Sequence, residues 1–300
     1  IQFTEHLERR ASSISAYDAE GVSVERAKAF VDESDTRVLQ LDLVDRKKDG
    51  IYAITWSVVS ADDGHFTRGA YSFAVGASAV PPTGASIAVT HTSSATEAAM
   101  IWLELFGQAL LVGWVSLFLL LLLPFQQFYS EEVLQSLKRF FRFIVFIGVG
   151  CVLIGGGSYI AYKSNDLLSQ GSIEAFGDAL KIFSVTVTGR FTLYRMLAAL
   201  LLLPFALKFI KNERSKITGG IVLALLAGII FARARVSHAA ASHILPMFSV
   251  GVNAVHLFFK DLWIGGLFVF VFGFIPAVRR LGRVPCTASH VLRFSKVMTM

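Results

Sequence analysis

Apolar and polar residues follow two different regimes along this chain. Up to about residue 97 they alternate. Leu39, Leu41 and Leu43 are separated by Gln40 and Asp42. Tyr52, Ile54, Trp56 and Val58 are separated by Ala53, Thr55 and Ser57, and Tyr71, Phe73 and Val75 repeat the pattern. Successive side chains of a strand point to opposite faces, so period two predicts half-buried antiparallel strands. Asp49-Gly50 and Asp63-Gly64 supply turn residues just before two of these strands. Short strands with turn signals predict a β-sandwich. This one is expected to be incomplete, with its first strand missing.

Beyond residue 97 the pattern changes to long apolar runs, near 99–123, 142–161, 191–210, 218–236 and 248–276. A helix crossing a bilayer needs roughly 20 consecutive apolar residues. Five such runs rule out a single large soluble core. The predicted fold class is therefore multidomain. An N-terminal all-β sandwich (Ig- or cupredoxin-like, Greek-key) spans 1–76. A Pro/Gly/Ser/Thr-rich linker covers 77–97, and an all-α polytopic membrane bundle covers 98–300, with another helix starting near 293. The start at Ile1 and the apparent helix entry at Arg293-Phe294-Ser295 are read as those of a fragment.

Composition agrees: 54% of the 300 residues are hydrophobic and 26 are Phe. The formal charge of +6 does not point to nucleic acid, because the excess Lys and Arg sit in short connections between apolar runs. Basic loops stay on the cytoplasmic side. Lys138, Arg139 and Arg142 follow the first run. Lys208, Lys211, Arg214 and Lys216 follow the third, and Arg279, Arg280 and Arg283 follow the fifth. Those three connections are assigned to the cytoplasm. Segments 162–190 and 237–247 then face outward with the β-domain, and 172–187 reads as an interfacial helix. The chain is expected to be a multi-pass protein of the plasma (inner) membrane with an extracytoplasmic N-terminal domain. Its two cysteines, Cys151 and Cys286, form no metal-binding pair. No phosphate-binding or phosphorylated-Asp signature is present, and an enzyme is not expected.

The sharpest motif is Thr55-Trp56-Ser57-Val58-Val59-Ser60-Ala61-Asp62-Asp63-Gly64-His65-Phe66, closed by Tyr71-Ser72-Phe73-Ala74-Val75. With Phe3-Thr4-Glu5 and the strand around Ile14–Asp18, it resembles the copper-binding CopC family over residues 1–76. Imidazole and carboxylate suit Cu(II) in tetragonal geometry, and a turn carrying Asp and His two residues apart can present both to one ion. The resemblance implies Asp63 and His65 as Cu(II) ligands, with an N-terminal His completing the site. The extra Asp62 leaves open which carboxylate binds. The alternative is a solvated turn with a surface His65. His6 reads as a strand-edge surface residue.

In the helical part, Ser237-His238-Ala239-Ala240, His256-Leu257 through Leu262-Trp263-Ile264-Gly265-Gly266-Leu267, Thr188-Gly189-Arg190 and Arg293-Phe294-Ser295 resemble CopD, the membrane partner of CopC. His238 ends the fourth run and His256 lies about two turns into the fifth, so both fall near the outer interface. They are candidate metal residues, with His243 a weaker one. Asn253, His256 and Lys260 share a helix face, and with Asp261 they form either a polar path or a local departure. Lys260 and Asp261, as sequence neighbours, are not expected to pair. Glu104 reads either as snorkelling near the outer end, the favoured reading, or as a polar member of the bundle. Gly148, Gly150 and Gly155-Gly156-Gly157 read as sites of close helix packing. Trp102, Trp114 and Trp263 read as packing or interfacial residues.

Together these features predict copper capture outside the membrane and copper passage through it. Expected partners are the copper ion, the lipid bilayer and extracytoplasmic copper carriers, with no nucleic acid. Two other classes fit the same residues. One is a haem-binding membrane electron carrier using His238 and His256 as axial ligands. The other is a membrane-anchored copper sensor or adaptor.

Overall fold

The computed structural model describes residues 1–44, 49–62, 64, 66–76, 94–169, 175–240 and 245–280. The chain divides into two compact units.

The first unit holds Ile1–Thr96 with Ile160–Arg190. Its strands are β1 (Ser13–Tyr17), β2 (Phe30–Val31), β3 (Leu39–Gln40), β4 (Gly50–Val59) and β5 (Phe66–Val75). They form two small antiparallel sheets, β1-β4-β5 and β2-β3, a sandwich-like arrangement. Alternation sets the faces. Tyr52, Ile54 and Val58 of β4 are buried with Ile14 and Ala16 of β1 and with Leu39 and Val31 of the other sheet, while Thr55 faces out. The alternating run from Leu39 to Leu43 is less regular than its pattern predicts. Only Leu39–Gln40 pair as a strand, and Leu43 returns as an isolated bridge to Glu25.

The β4–β5 hairpin carries the closest side-chain fit. Tyr52 and Phe73 are directly opposite and stack at 5.5 Å. Trp56 lies over its cross-strand partner Gly69, where an added Cβ would come within 2.2 Å of the indole. Phe3 packs edge-on to the same indole at 5.3 Å. Glycine at 69 is thus required by the tryptophan that covers it.

The second unit holds Glu97–Tyr159 and the described residues from Phe191 onward. Among the described residues of both units, the longer helices are α1 (Ala95–Leu117), α2 (Glu131–Ser169), α3 (Phe176–Val185), α4 (Val187–Lys211), α5 (Lys216–Ala234) and α6 (Pro246–Val269). Helix α1 widens into a π turn at Phe118–Leu122, and α6 does so at Phe270–Phe274. Pro246 opens α6 at a position where its missing N–H costs nothing. The Ser215 hydroxyl caps α5 by accepting from Thr218 N at 3.3 Å.

Among the described residues, five helical stretches are long and apolar enough to cross a membrane: Ala95–Phe128, Glu131–Asp166, Val187–Lys211, Lys216–Ala234 and Pro246–Ala277. Each corresponds to one of the apolar runs, the fourth stretch ending at Ala234, two residues before the run does. Lys138, Arg139 and Arg142, expected in a loop, instead lie in the early turns of α2. The helix simply continues past its apolar stretch.

An aromatic centre forms where Phe118 meets Phe141 at 5.8 Å and Phe209 at 5.1 Å. Helices α1 and α6 touch backbone to backbone: a Cβ on Gly265 would lie 1.7 Å from Ala109 O. A Cβ on Gly148 would lie 2.8 Å from the Leu111 side chain, whereas among the described residues nothing lies within 4 Å of one on Gly150. One end of this unit gathers the starts and ends that carry the basic residues. Lys138 Nζ lies 2.7 Å from Glu213 Oε2 in the α4–α5 connection, and Tyr129 meets Phe274 edge-on at 6.2 Å.

Replacing Gly69 with Val should force Trp56 off its seat and destabilise the hairpin by about 2 kcal/mol. Amide exchange in β4 and β5 should then quicken roughly 30-fold, whereas unchanged exchange would show that the indole does not need the space.

Candidate metal site and buried polar centre

The β4–β5 turn is held from three sides. Gly64 N donates to Ser60 O at 3.0 Å and Asp62 N donates to Ser60 Oγ at 3.1 Å. Gly64 has φ +75°, a conformation glycine adopts without strain. An added Cβ there would also collide with Thr188 Oγ1 at 1.5 Å, so the turn lies against the first turn of α4. Residues 6 and 7 run beside the turn, with Ala61 N donating to His6 O at 2.7 Å and Leu7 bridging Ser60.

The Asp62 carboxylate accepts from His6 N at 3.0 Å and stands 3.1 Å from His6 Nδ1. His6, expected to be a bystander at a strand edge, is therefore joined to this turn. Asp63 and His65 lie outside the described residues, as does His243.

Elsewhere in the first unit, Arg68 Nη2 on β5 donates to Asp166 Oδ1 at 2.9 Å, near the end of α2. The Arg68 guanidinium also sits 4.8 Å from the Phe66 ring centre. Burial pushes the Glu8 carboxyl up, and the charges of Arg190 and Arg10 partly oppose that shift. Between β2 and β3, the Ser34 hydroxyl and backbone hold Asp32 below the usual carboxylate range, with the Asp35 amide adding to them.

In the helical unit, Ser237 ties the two histidine-bearing segments together. Its hydroxyl donates to Ala234 O at 2.7 Å and accepts from Asn253 Nδ2 at 2.8 Å. His238 follows Ser237 directly, and His256 lies three residues after Asn253. Both histidines are exposed on the unit. Asn253 is thus engaged with the end of α5. Among the described residues, no three His, Cys, Asp or Glu side chains gather as a metal site would need.

The polar groups that are brought together lie deeper. Glu104 does not snorkel outward. It is 3% exposed and takes Arg195 Nε at 2.5 Å, Arg195 Nη2 at 3.2 Å and Arg233 Nη1 at 3.3 Å. Arg195 is 1% exposed and also donates to Thr192 Oγ1 at 3.0 Å. One helical turn further along α1, Gln108 donates to Asp261 Oδ2. Lys260 and Asp261, not expected to pair, are 3.1 Å apart. The flexible lysine stem folds back along the helix, which a rigid i, i+1 projection ignores. Arg233 is close enough to interact with both acids. Tyr159 and Glu97 lie within electrostatic reach of the same cluster.

Sequence reading missed this centre. The available signal was the presence of single charges within apolar runs, at Glu104, Arg195 and Arg233. Their partners lie on different helices, so spacing alone does not join them.

Residues 1–76 match the family described as CopC domain. This chain carries a CopC domain. No curated protein and no solved structure matches the chain. CopC domains bind copper, which places residues 1–76 in a copper-binding and copper-resistance family. The hairpin described above is the last element of the CopC domain. The five apolar helices after it are compatible with CopD.

Replacing Glu104 with Gln removes the charge that two buried arginines share. Breaking a buried pair from one side typically costs about 3–5 kcal/mol. The variant should therefore unfold at a clearly lower temperature in detergent, and an unchanged midpoint would show that the arginines find other anions.

Proposed function

We propose that this chain captures Cu(II) outside a membrane through its CopC domain and conducts copper across that membrane through its helices. It acts as a carrier rather than a catalyst. The observation that carries this reading is the CopC match over residues 1–76, whose hairpin turn holds the Asp-Gly-His motif.

Asp63 and His65 are the proposed Cu(II) ligands. Asp62 is already bonded to His6, which leaves Asp63 as the proposed carboxylate ligand. His238 and His256 are the proposed receivers in the helical unit, with His243 a weaker candidate. Asn253 supports them by holding Ser237. Lys260 and Asp261 belong to the buried polar centre rather than to the metal-binding set.

The three basic segments argue for orientation. They collect at one end of the helical unit, and positive residues favour the cytoplasm. The chain then starts α1 at the opposite end, so the CopC domain is extracytoplasmic and the protein belongs in the inner membrane. Extracytoplasmic copper carriers are the proposed donors.

The test is titration calorimetry with Cu(II) on the full-length protein. Loss of an outer-shell partner alone weakens metal sites by about 10–100-fold. His65→Ala should therefore weaken Cu(II) binding by more than roughly 100-fold, and an unchanged isotherm would reject the ligand assignment.

A further inference from the structure

Two acids are buried in the helical unit, and their surroundings differ in kind. Glu104 accepts from two guanidinium groups on two helices. Both of its carboxylate oxygens are thereby occupied by charged donors. Asp261 is 0% exposed, and among the described residues the donor within hydrogen-bond geometry of it is the Gln108 amide from α1. Its second oxygen, Oδ1, is buried and lies at ion-pair distance from Lys260 Nζ but outside hydrogen-bond geometry. The Lys260 side chain is 27% exposed, so its head reaches the surface of the unit and is not enclosed with Asp261. Arg233 of α5 faces Asp261 as well, but its hydrogen bond goes to Glu104. Behind it stands Arg195, also committed to Glu104.

We propose that Asp261 is a reversible proton-binding site in the centre of the helical unit, with Lys260 as its releasable countercharge. When Asp261 is ionised, Lys260 balances it and the Gln108 NH₂ donates to it. When one proton arrives from water, Asp261 becomes a neutral acid. Its new O–H donates to the Gln108 carbonyl oxygen once the amide turns over, since an amide can serve both states. Lys260 keeps its own proton and is freed to turn outward. The charge inside the unit rises by one, and the reverse step restores it. Close contact of the α1 and α6 backbones at Ala109 and Gly265 seals one side of the acid, leaving the lysine side as the changeable one. A purely structural ion pair has no use for a buried acid whose cation reaches the surface. The inference needs the five helices to lie in a bilayer but not the copper reading.

The test uses the full-length protein in copper-free liposomes, followed by infrared difference spectroscopy as the pH is lowered from neutral. A carbonyl band of a protonated, buried carboxyl should appear, and Asp261→Asn should abolish it. Gln108→Leu removes the amide from both states, but the hydrogen bond to the charged form is the stronger of the two, so the band's midpoint should move up by about one pH unit. Absence of the band in the wild-type protein, or its survival in Asp261→Asn, would overturn the proposal. Should Asp261→Asn fail to fold, an unmoved midpoint in Gln108→Leu would overturn it equally. Because no copper is present, these outcomes are independent of whether the chain carries copper.

Discussion

One carboxylate shared between two arginines governs how the helical unit is built. Glu104 sits on α1, Arg195 on α4 and Arg233 on α5. A charge buried among apolar helices is costly unless paired and hydrogen-bonded. The three helices must therefore adopt the one arrangement in which the fork of Arg195 meets both oxygens of Glu104. Apolar packing alone would tolerate rotations and slides of these helices, since lipid competes equally for their surfaces. The ionic centre removes that freedom. The same helix α1 then meets α6 through Gly265 and Gln108 and α2 through Gly148. It is accordingly the most enclosed of the five apolar helices.

The same construction sets where the two histidine-bearing segments meet at one end of the unit. Arg233 lies in the last turn of α5, just before Ser237 and His238. Its bond to Glu104 fixes where α5 ends. Asn253 then holds Ser237 from α6. His238 and His256 are exposed. In the CopC domain, Trp56, Tyr52 and Phe73 make the hairpin rigid, while the turn beyond Ser60 carries the polar residues.

Much of this was legible from the residues in order. Period-two alternation found β4 and β5 because each has ten residues and a well-packed face. The five apolar runs found the five long helices because length and composition suffice for that assignment. Leu39 to Leu43 misled because alternation reports a buried face, not a pairing partner, and β2 is only two residues long. Glu104 misled because a single acid near a helix end carries no sign of what faces it. Lys260 and Asp261 misled because helix geometry describes Cβ directions, whereas a lysine head can swing several ångströms from its own. His6 was undervalued for a similar reason: its partner Asp62 lies 56 residues away, and only the folded hairpin brings them together.

The central claim is that a copper-binding outer domain and a helical unit on one chain together move copper through a bilayer. Its most direct test is copper entry into proteoliposomes containing the purified full-length protein, compared with protein-free vesicles. The account predicts that lumenal copper accumulates only where the protein is present. Equal copper in both sets of vesicles, from protein shown to be folded and inserted, would contradict it.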